Sequence, residues 1–579
     1  PDQMSFSSER NLTWMAGESR GTIRVQVTSF KRLAWRILQE AGGISRQELN
    51  GFGYRMLLKS VLEENKDKLR LFGKAADKRG FTEEMEQLLK ELSRYSVNGD
   101  KMALIQHEFD QLDAPRTLQD KVHDIQLIQA AVEERLGTTY VDSEGYLPLL
   151  QQKLVHSTMI REASIYIDGF MSFTTQEFDL VQELLATAKN VTIALPFEQE
   201  FDADDEQALF YEPANTARRL KDVAFSNGIE VKPDVHLTQT MRYSNDTLQT
   251  IESQFEHYHP KQAKTTAHLD IAAAVNPHAE IHEVARKIRT LSHEGIAYNE
   301  MAIIYRQAEQ YDPLLSTIFP QYDIPFFISQ KKPMLHHPLI EFSRSILESI
   351  QTDWKYEPIF RAIKTDLFFP LHADKKIWRE RADRLENFVM AQGIYGERWF
   401  DDIRWVYKKY RGLEFFTTKQ TDEERAFQQE IEAVRVLVRE PLQQLQQQLE
   451  QAHTGRAYAE ILYTFIDELA IFAKLQELKD YENAHGKLLA ATEHEQAWNE
   501  WVNVLDQFVE MFGDVELTLD EFIEILDEGL DSLEFSRIPP SIDEVTVVTA
   551  DLARLMNMKA VFVIGMNEGV YPQRIDREG

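Results

Sequence analysis

The 579-residue chain is 43% hydrophobic and 27% charged. That balance excludes a disordered polymer and, at about 100–200 residues per domain, predicts several domains. Its net charge of -31 excludes coating of nucleic acid or anionic membrane by bulk charge, but leaves room for a groove with its own basic lining; the absence of cysteine removes disulfides, thiol nucleophiles, Cys-ligated zinc and thiolate-bound iron–sulfur clusters from this stretch and fits a reducing cytoplasm.

In chain order, the first strand-like run is 22–28. It leads into a helical pattern carrying Phe30, Arg32, Trp35 and Leu38. From about 37 to 157 the apolar spacing is three and four, as in Leu88, Leu89 and Leu92, and again in Leu127, Ile128, Ala131 and Val132. Ser45 and Glu48 have the spacing of a capping box. Runs 164–168 and 190–195 are strand-like, and Thr174 with Glu177 caps the helix between them. Four further runs, 269–274, 301–305, 545–548 and 560–564, hold several apolar residues in succession. Such runs suit strands covered on both faces in a parallel sheet. From about 346 to 540 the pattern is helical again: Leu442, Leu445 and Leu449 share one face of a Gln-rich helix, and Thr518 with Glu521 caps another.

The layout is therefore two α/β domains, each interrupted by a large all-helical insertion. Residues 1–36 and 158–265 form the first domain, around an insertion at 37–157. Residues 266–345 and 541–579 form the second, around an insertion at 346–540. No run approaches the roughly 18 apolar residues of a membrane span, so no membrane contact is expected. The chain opens at Pro1 without an initiator Met or leader and stops at Gly579 just after a strand and a turn. It reads as a piece of something longer.

Metal sites are weak. His278 and His282 are spaced i, i+4 but lack the His-Glu-x-x-His string. The acidic run 202–206 has no Gly or Glu at the loop positions of an EF-hand. Glu83, Glu84 and Glu86 read as a solvated helix face, and His337 before a Pro as the opening of a helix.

The final segment carries Thr549, Ala553, Val561, Phe562, Gly565, Glu568, Gly569 and Pro572 in ungapped register with the fifth motif of UvrD-type superfamily 1 helicases. It resembles that motif in scaffold only. The motif's His, Ser, Lys, Gly and Glu stand here as Asp551, Leu552, Arg554, Leu555 and Asn557. Ile165 to Phe170 resembles a Walker B strand, with Asp168 kept and Gly169 at the catalytic carboxylate. Tyr305-Arg306 resembles the fourth motif, whose Arg faces the γ-phosphate. Ser29-Phe30-Lys31 resembles the DNA-binding Thr-Phe-His. Together with Pro1-Asp2-Gln3-Met4, Asp168-Gly169-Phe170, His337-Pro338, Ile538-Pro539-Pro540 and Gly565 to Gly569, these changes resemble the AddB subunit of the AddAB helicase–nuclease of Gram-positive bacteria.

The resemblance implies two RecA-like (P-loop NTPase) sheet domains in a parent of about twice this length. It implies an AddA helicase–nuclease partner and single- and double-stranded DNA ends as substrates. It further implies ATP, Mg2+ and a 4Fe-4S cluster elsewhere in the parent, with no cofactor held by this chain. No Gly-x-x-x-x-Gly-Lys-Ser/Thr phosphate loop occurs, so the chain is expected not to hydrolyse ATP alone; no catalytic residue is assigned. Asp168, Arg306 and Arg554 are remnants of a nucleotide site. Arg306 also reads as a structural Arg at a strand end. Strand C-terminal ends converge on the ligand crevice of a parallel sheet. Gln3, Ser5, Phe30, Arg32, Trp35 and Phe170 are thus the candidate DNA-binding residues, stacking bases and holding phosphates. The family resemblance makes this groove a reader of the recombination signal Chi. Two other readings stand beside it: an ATP-driven translocase whose phosphate loop lies outside this chain, and a scaffold in which Trp35 and Phe170 are buried in the core.

Overall fold

The computed structural model describes residues 25–42, 47–76, 80–111, 115–137, 139–142, 145–197, 208–237, 246–255, 259–262, 267–328, 332–409, 419–536, 543–550 and 558–571, with 9, 12, 78, 206 and 257 singly. The chain divides into two units, 1–233 with 333–533, and 234–332 with 534–579. The helices predicted as an insertion in the second sheet domain therefore pack with the first unit.

In the first unit, helix α1 (Phe30–Ala41) follows the irregular residues 25–29. Ser29 caps it, its hydroxyl accepting from the Arg32 N–H. The first insertion follows, including α2 (Gly51–Asn65) and α3 (Phe81–Arg94), with the helix Arg116–Leu136 closing on both. Strand β1 (Ser164–Ile167), helix α4 (Thr175–Thr187) and strand β2 (Asn190–Ile193) form a parallel β–α–β unit, with Ile167 opposite Ile193. The Thr174–Glu177 capping box closes reciprocally at the start of α4.

In the second unit, α5 (Pro277–His293) is capped by Asn276. Strand β3 (Met301–Tyr305), helix α6 (Ala308–Ile318) and strand β4 (Phe326–Ile328) follow. The second insertion then returns to the first unit with α7 (Pro338–Gln351), α8 (Asp422–Gln451), α9 (Leu488–Phe512) and α10 (Leu519–Asp531). Strands β5 (Val545–Thr549) and β6 (Ala560–Val563) complete a four-stranded parallel sheet of order β6-β3-β5-β4. Its central strands are buried, as the unbroken apolar runs require, and α5 and α6 close the core with Ile281, Ile288, Leu315 and Ile318.

Four expectations need correction. Residues 269–274 form no strand and lie exposed, Ile271 by 90%; an apolar run becomes a buried strand only where a neighbour supplies its ladder. Residues 25–28 of the predicted first strand are likewise outside any strand. Glu48 sits in a two-residue strand beside Tyr140–Val141, and the helix begins at Gly51; Ser45 lies outside the described residues. Glu86 is not solvated: it is 5% exposed and held by Arg55 at 2.6 Å. Strand β4, three residues long, was not legible in the pattern.

Candidate nucleic-acid interface

At the carboxyl end of β1 the chain leaves the sheet through Asp168, Gly169 and Phe170. Gly169 has φ of 84°. That left-handed conformation strains any L side chain, so the turn itself disfavours the carboxylate of an active Walker B strand. Phe170 turns back to meet Phe30 at the start of α1, ring centres 5.5 Å apart, and Phe173 lies 5.0 Å beyond it. These three rings form a row along the strand end. Phe173 is 8% exposed and belongs to the core, whereas Phe30 and Phe170 are half-buried. The sequence reading missed Phe173; its signal was its place three residues after Phe170 in the same loop.

Helix α1 carries the rest. Ala34, Ile37 and Leu38 face the core, so the opposite side presents Lys31, Arg32, Trp35 and Arg36 to solvent. Trp35 is 52% exposed; its spacing from Leu38 does not carry it inward. Lys31 pairs with Glu48 at 2.8 Å. This is a local basic and aromatic face on an acidic chain. The end of α1 is fixed by Glu40, which accepts from the Ser157 and Thr158 hydroxyls at 2.6 Å each and from the Thr158 N–H at 3.0 Å. Those hydroxyls hold the Glu40 carboxyl down at about 2.

Phe30, Arg32, Trp35 and Phe170 thus share one end of the first unit, while Gln3 and Ser5 lie outside the described residues. Asp168 is exposed beside them. Arg306 is exposed at the end of β3 in the second unit, and Arg554 lies outside the described residues. No group of three or more His, Cys, Asp or Glu that could hold a metal occurs among the described residues. One strand-end carboxylate followed by a left-handed glycine does not fit a magnesium–nucleotide site. His278 and His282 pack ring against ring, and His282 bonds the Tyr322 hydroxyl at 2.9 Å.

The second unit builds its own strand-end loop. Gly565, φ 70°, follows Ile564 directly after β6, and a Cβ there would lie 3.0 Å from the Tyr311 ring. Its N–H donates to Glu280 at 3.0 Å, and the Tyr311 hydroxyl donates to the same carboxylate at 2.8 Å. Burial and this hydrogen bond push the Tyr311 hydroxyl pKa upward. The loop thereby exposes Met566, Asn567 and Glu568. Glu280 carries no sequence signal, because Gly565 is 285 positions away.

Residues 1–252 match the family described as ADDB, N-terminal, and residues 238–579 match the UvrD-like helicase C-terminal domain. The chain is 56% identical over 580 residues to an ATP-dependent helicase/deoxyribonuclease subunit of Lysinibacillus sphaericus (strain C3-41). It is 42% identical over 587 residues to the protein of the same name in Geobacillus kaustophilus (strain HTA426), and 39% over 588 residues to that of Bacillus cereus (strain G9842). In each comparison all of this chain is covered, against 50% of the relative. The chain spans about half the length of these curated relatives. No described helix is long and apolar enough to cross a membrane.

Proposed function

This chain belongs to the AddB family and carries a UvrD-like helicase C-terminal domain, and from that premise we propose that it is the helicase-like, motor-inactive part of a helicase–nuclease that binds single-stranded DNA and reads Chi. The full-length protein would work in the cytoplasm with an AddA partner during resection of double-strand breaks for recombination. ATP, Mg2+ and a 4Fe-4S cluster would be held outside this stretch.

One observation carries the reading. Trp35 is 52% exposed on the same face of α1 as Arg32, and the half-buried Phe30, at the start of the same helix, meets Phe170 at 5.5 Å. An indole turned to water beside guanidinium groups is the combination that takes a base on the ring and a phosphate on the cation, at about 1–3 kcal/mol per stacked base. A scaffold would bury Trp35. The motor-inactive part of the proposal is supported by Gly169, whose φ of 84° goes with the loss of the carboxylate that would activate water.

In this mechanism the chain's residues bind and position, and perform no chemistry. Phe170 and Phe173 brace Phe30. Glu40 anchors the far end of α1, so the helix presents Trp35, Arg32 and Arg36 in fixed register to a passing strand. Base identity would be read by hydrogen bonds to base edges; Gln3 and Ser5, the polar candidates for this, lie outside the described residues.

The test is fluorescence anisotropy of the full-length protein with its partner, on random and fixed-sequence single strands at two salt concentrations. We expect salt-sensitive binding that differs among sequences and weakens about tenfold or more in Trp35→Ala, the lower range of a lost stacking contact. Binding indifferent both to sequence and to Trp35→Ala would overturn the reading.

A further inference from the structure

The two helical insertions are separated by about 200 residues of chain, yet meet helix to helix within the first unit. Helix α10 of the second insertion lies along α2 of the first, and α3, α7 and α9 close around the pair. At the crossing, glycines face side chains of the neighbouring helices. A Cβ on Gly529 of α10 would come 2.8 Å from the Met56 sulfur of α2, and beside the crossing a side chain at Gly53 of α2 would collide with Gln507 of α9. Gly529 seats the Met56 side chain against α10, so α10 cannot slide along α2 without Met56 moving aside.

A connected set of charges surrounds this crossing. Lys59 is 6% exposed; its Nζ lies 2.7 Å from Glu63 on its own helix and 3.1 Å from Glu524 on α10. Arg55 reaches Glu86 at 2.6 Å and Glu83 at 3.5 Å on α3. The buried Thr82 hydroxyl of α3 donates to Glu528 of α10 at 3.1 Å. On the far side Arg344 of α7 forks onto Asp527 at 2.8 Å and Asp531 at 3.1 Å. Lys90 completes the set against Glu86. Burial opposes the charge on Lys59 and on Arg55, and their carboxylate partners more than offset it, so both stay firmly protonated. Parting α10 from the first insertion would take Glu524 from Lys59, leaving Glu63 as its carboxylate, and would part Glu528 from the Thr82 hydroxyl of α3, so contacts to two helices would be lost together.

We propose that this crossing is a clasp that locks the two insertions into one rigid body, with Lys59 bridging α2 and α10 and Gly529 setting their separation. The clasp does not depend on the DNA-binding reading. It bears on it in one place: α3, which carries Glu86 and Thr82, also packs on α4 beside the aromatic row, with Gln176 donating to Ser93 at 3.2 Å. A locked pair of insertions would hold that row in one conformation.

The test is hydrogen–deuterium exchange of the full-length protein, compared with Lys59→Met and Arg344→Ala. The lock predicts that amides of α2 and α10 are protected together, and that each substitution accelerates exchange in both helices by about tenfold or more while β3 and β5 stay unchanged. Arg344 is held by Asp527 and Asp531 of the second insertion, so its effect on α2 reads the coupling itself. Acceleration confined to the helix next to the substitution, or none in either, would overturn the proposal. Should Lys59→Met fail to fold, Glu524→Gln takes its place, keeping shape while removing the charge opposite Lys59, with the same two outcomes. If the DNA reading fails, binding is lost as a proposal and this exchange pattern is unaffected.

Discussion

Trp35 and Phe170 are both aromatic and both near a strand end, but their surroundings divide their roles. Phe170 touches Phe30 and Phe173 and packs against the core around Ile167. Phe170→Ala should cost about 1–3 kcal/mol, less than a fully buried Phe because the ring is partly exposed. Trp35→Ala should leave stability within about 0.5 kcal/mol of the parent chain. Thermal denaturation of the two variants separates them. The sequence placed both residues at the site, but spacing from Leu38 could not say which side of α1 faced water; burial of Ala34, Ile37 and Leu38 decided it.

A second residue-scale prediction concerns Lys474, whose Nζ donates to the Leu367 carbonyl at 2.7 Å in a cavity of about 220 Å³. Burial pushes its ammonium down from 10.5 to about 8. Between those values the unfolded chain holds a proton that the folded chain has released, so stability rises with pH across that window. Urea midpoints at about pH 7.5 and about pH 9.5 should show the rise, and Lys474→Met should abolish it.

Among the elements, helix ends announced themselves where a capping box is local. Thr174–Glu177 and Thr518–Glu521 both close as their spacing requires. Thr421–Glu424 does the same at the head of the 30-residue α8, and its Glu424 is 2% exposed while also accepting from the Lys409 N–H at 2.8 Å. Thr421→Ala should therefore cost about 1–2 kcal/mol, the upper part of the usual capping range, measured by chemical denaturation. The Leu seam of α8 was equally legible, with Leu442, Leu445 and Leu449 all at 1% exposure or less. Strands were read less surely. A run such as 301–305 and a run such as 269–274 look alike, because strand formation depends on a ladder partner far along the chain. Glu86 illustrates the same limit for charge: its partner Arg55 is 31 positions away, and an acidic helix face looks solvated until that partner is placed.

For the whole molecule, the sequence conveyed two parallel-sheet regions and two long helical insertions, because apolar runs and helical periodicity alternate at domain scale. It conveyed nothing of the second insertion packing on the first, since Gly529 against Met56 and Lys59 against Glu524 are contacts across more than 400 residues. The acidic total of -31 likewise hid the small basic face of α1, because net charge averages over a surface on which Lys31, Arg32 and Arg36 occupy one patch.

The central claim is that a single strand stacks on the aromatic face at the end of β1. Photocrosslinking tests it most directly, with 5-iodouracil-bearing single strands, the full-length protein in its complex, and adducts mapped by mass spectrometry. The account predicts adducts on the peptides holding Phe30, Trp35 and Phe170, and their loss from the first peptide in Trp35→Ala. Efficient crosslinking confined to other peptides would contradict it.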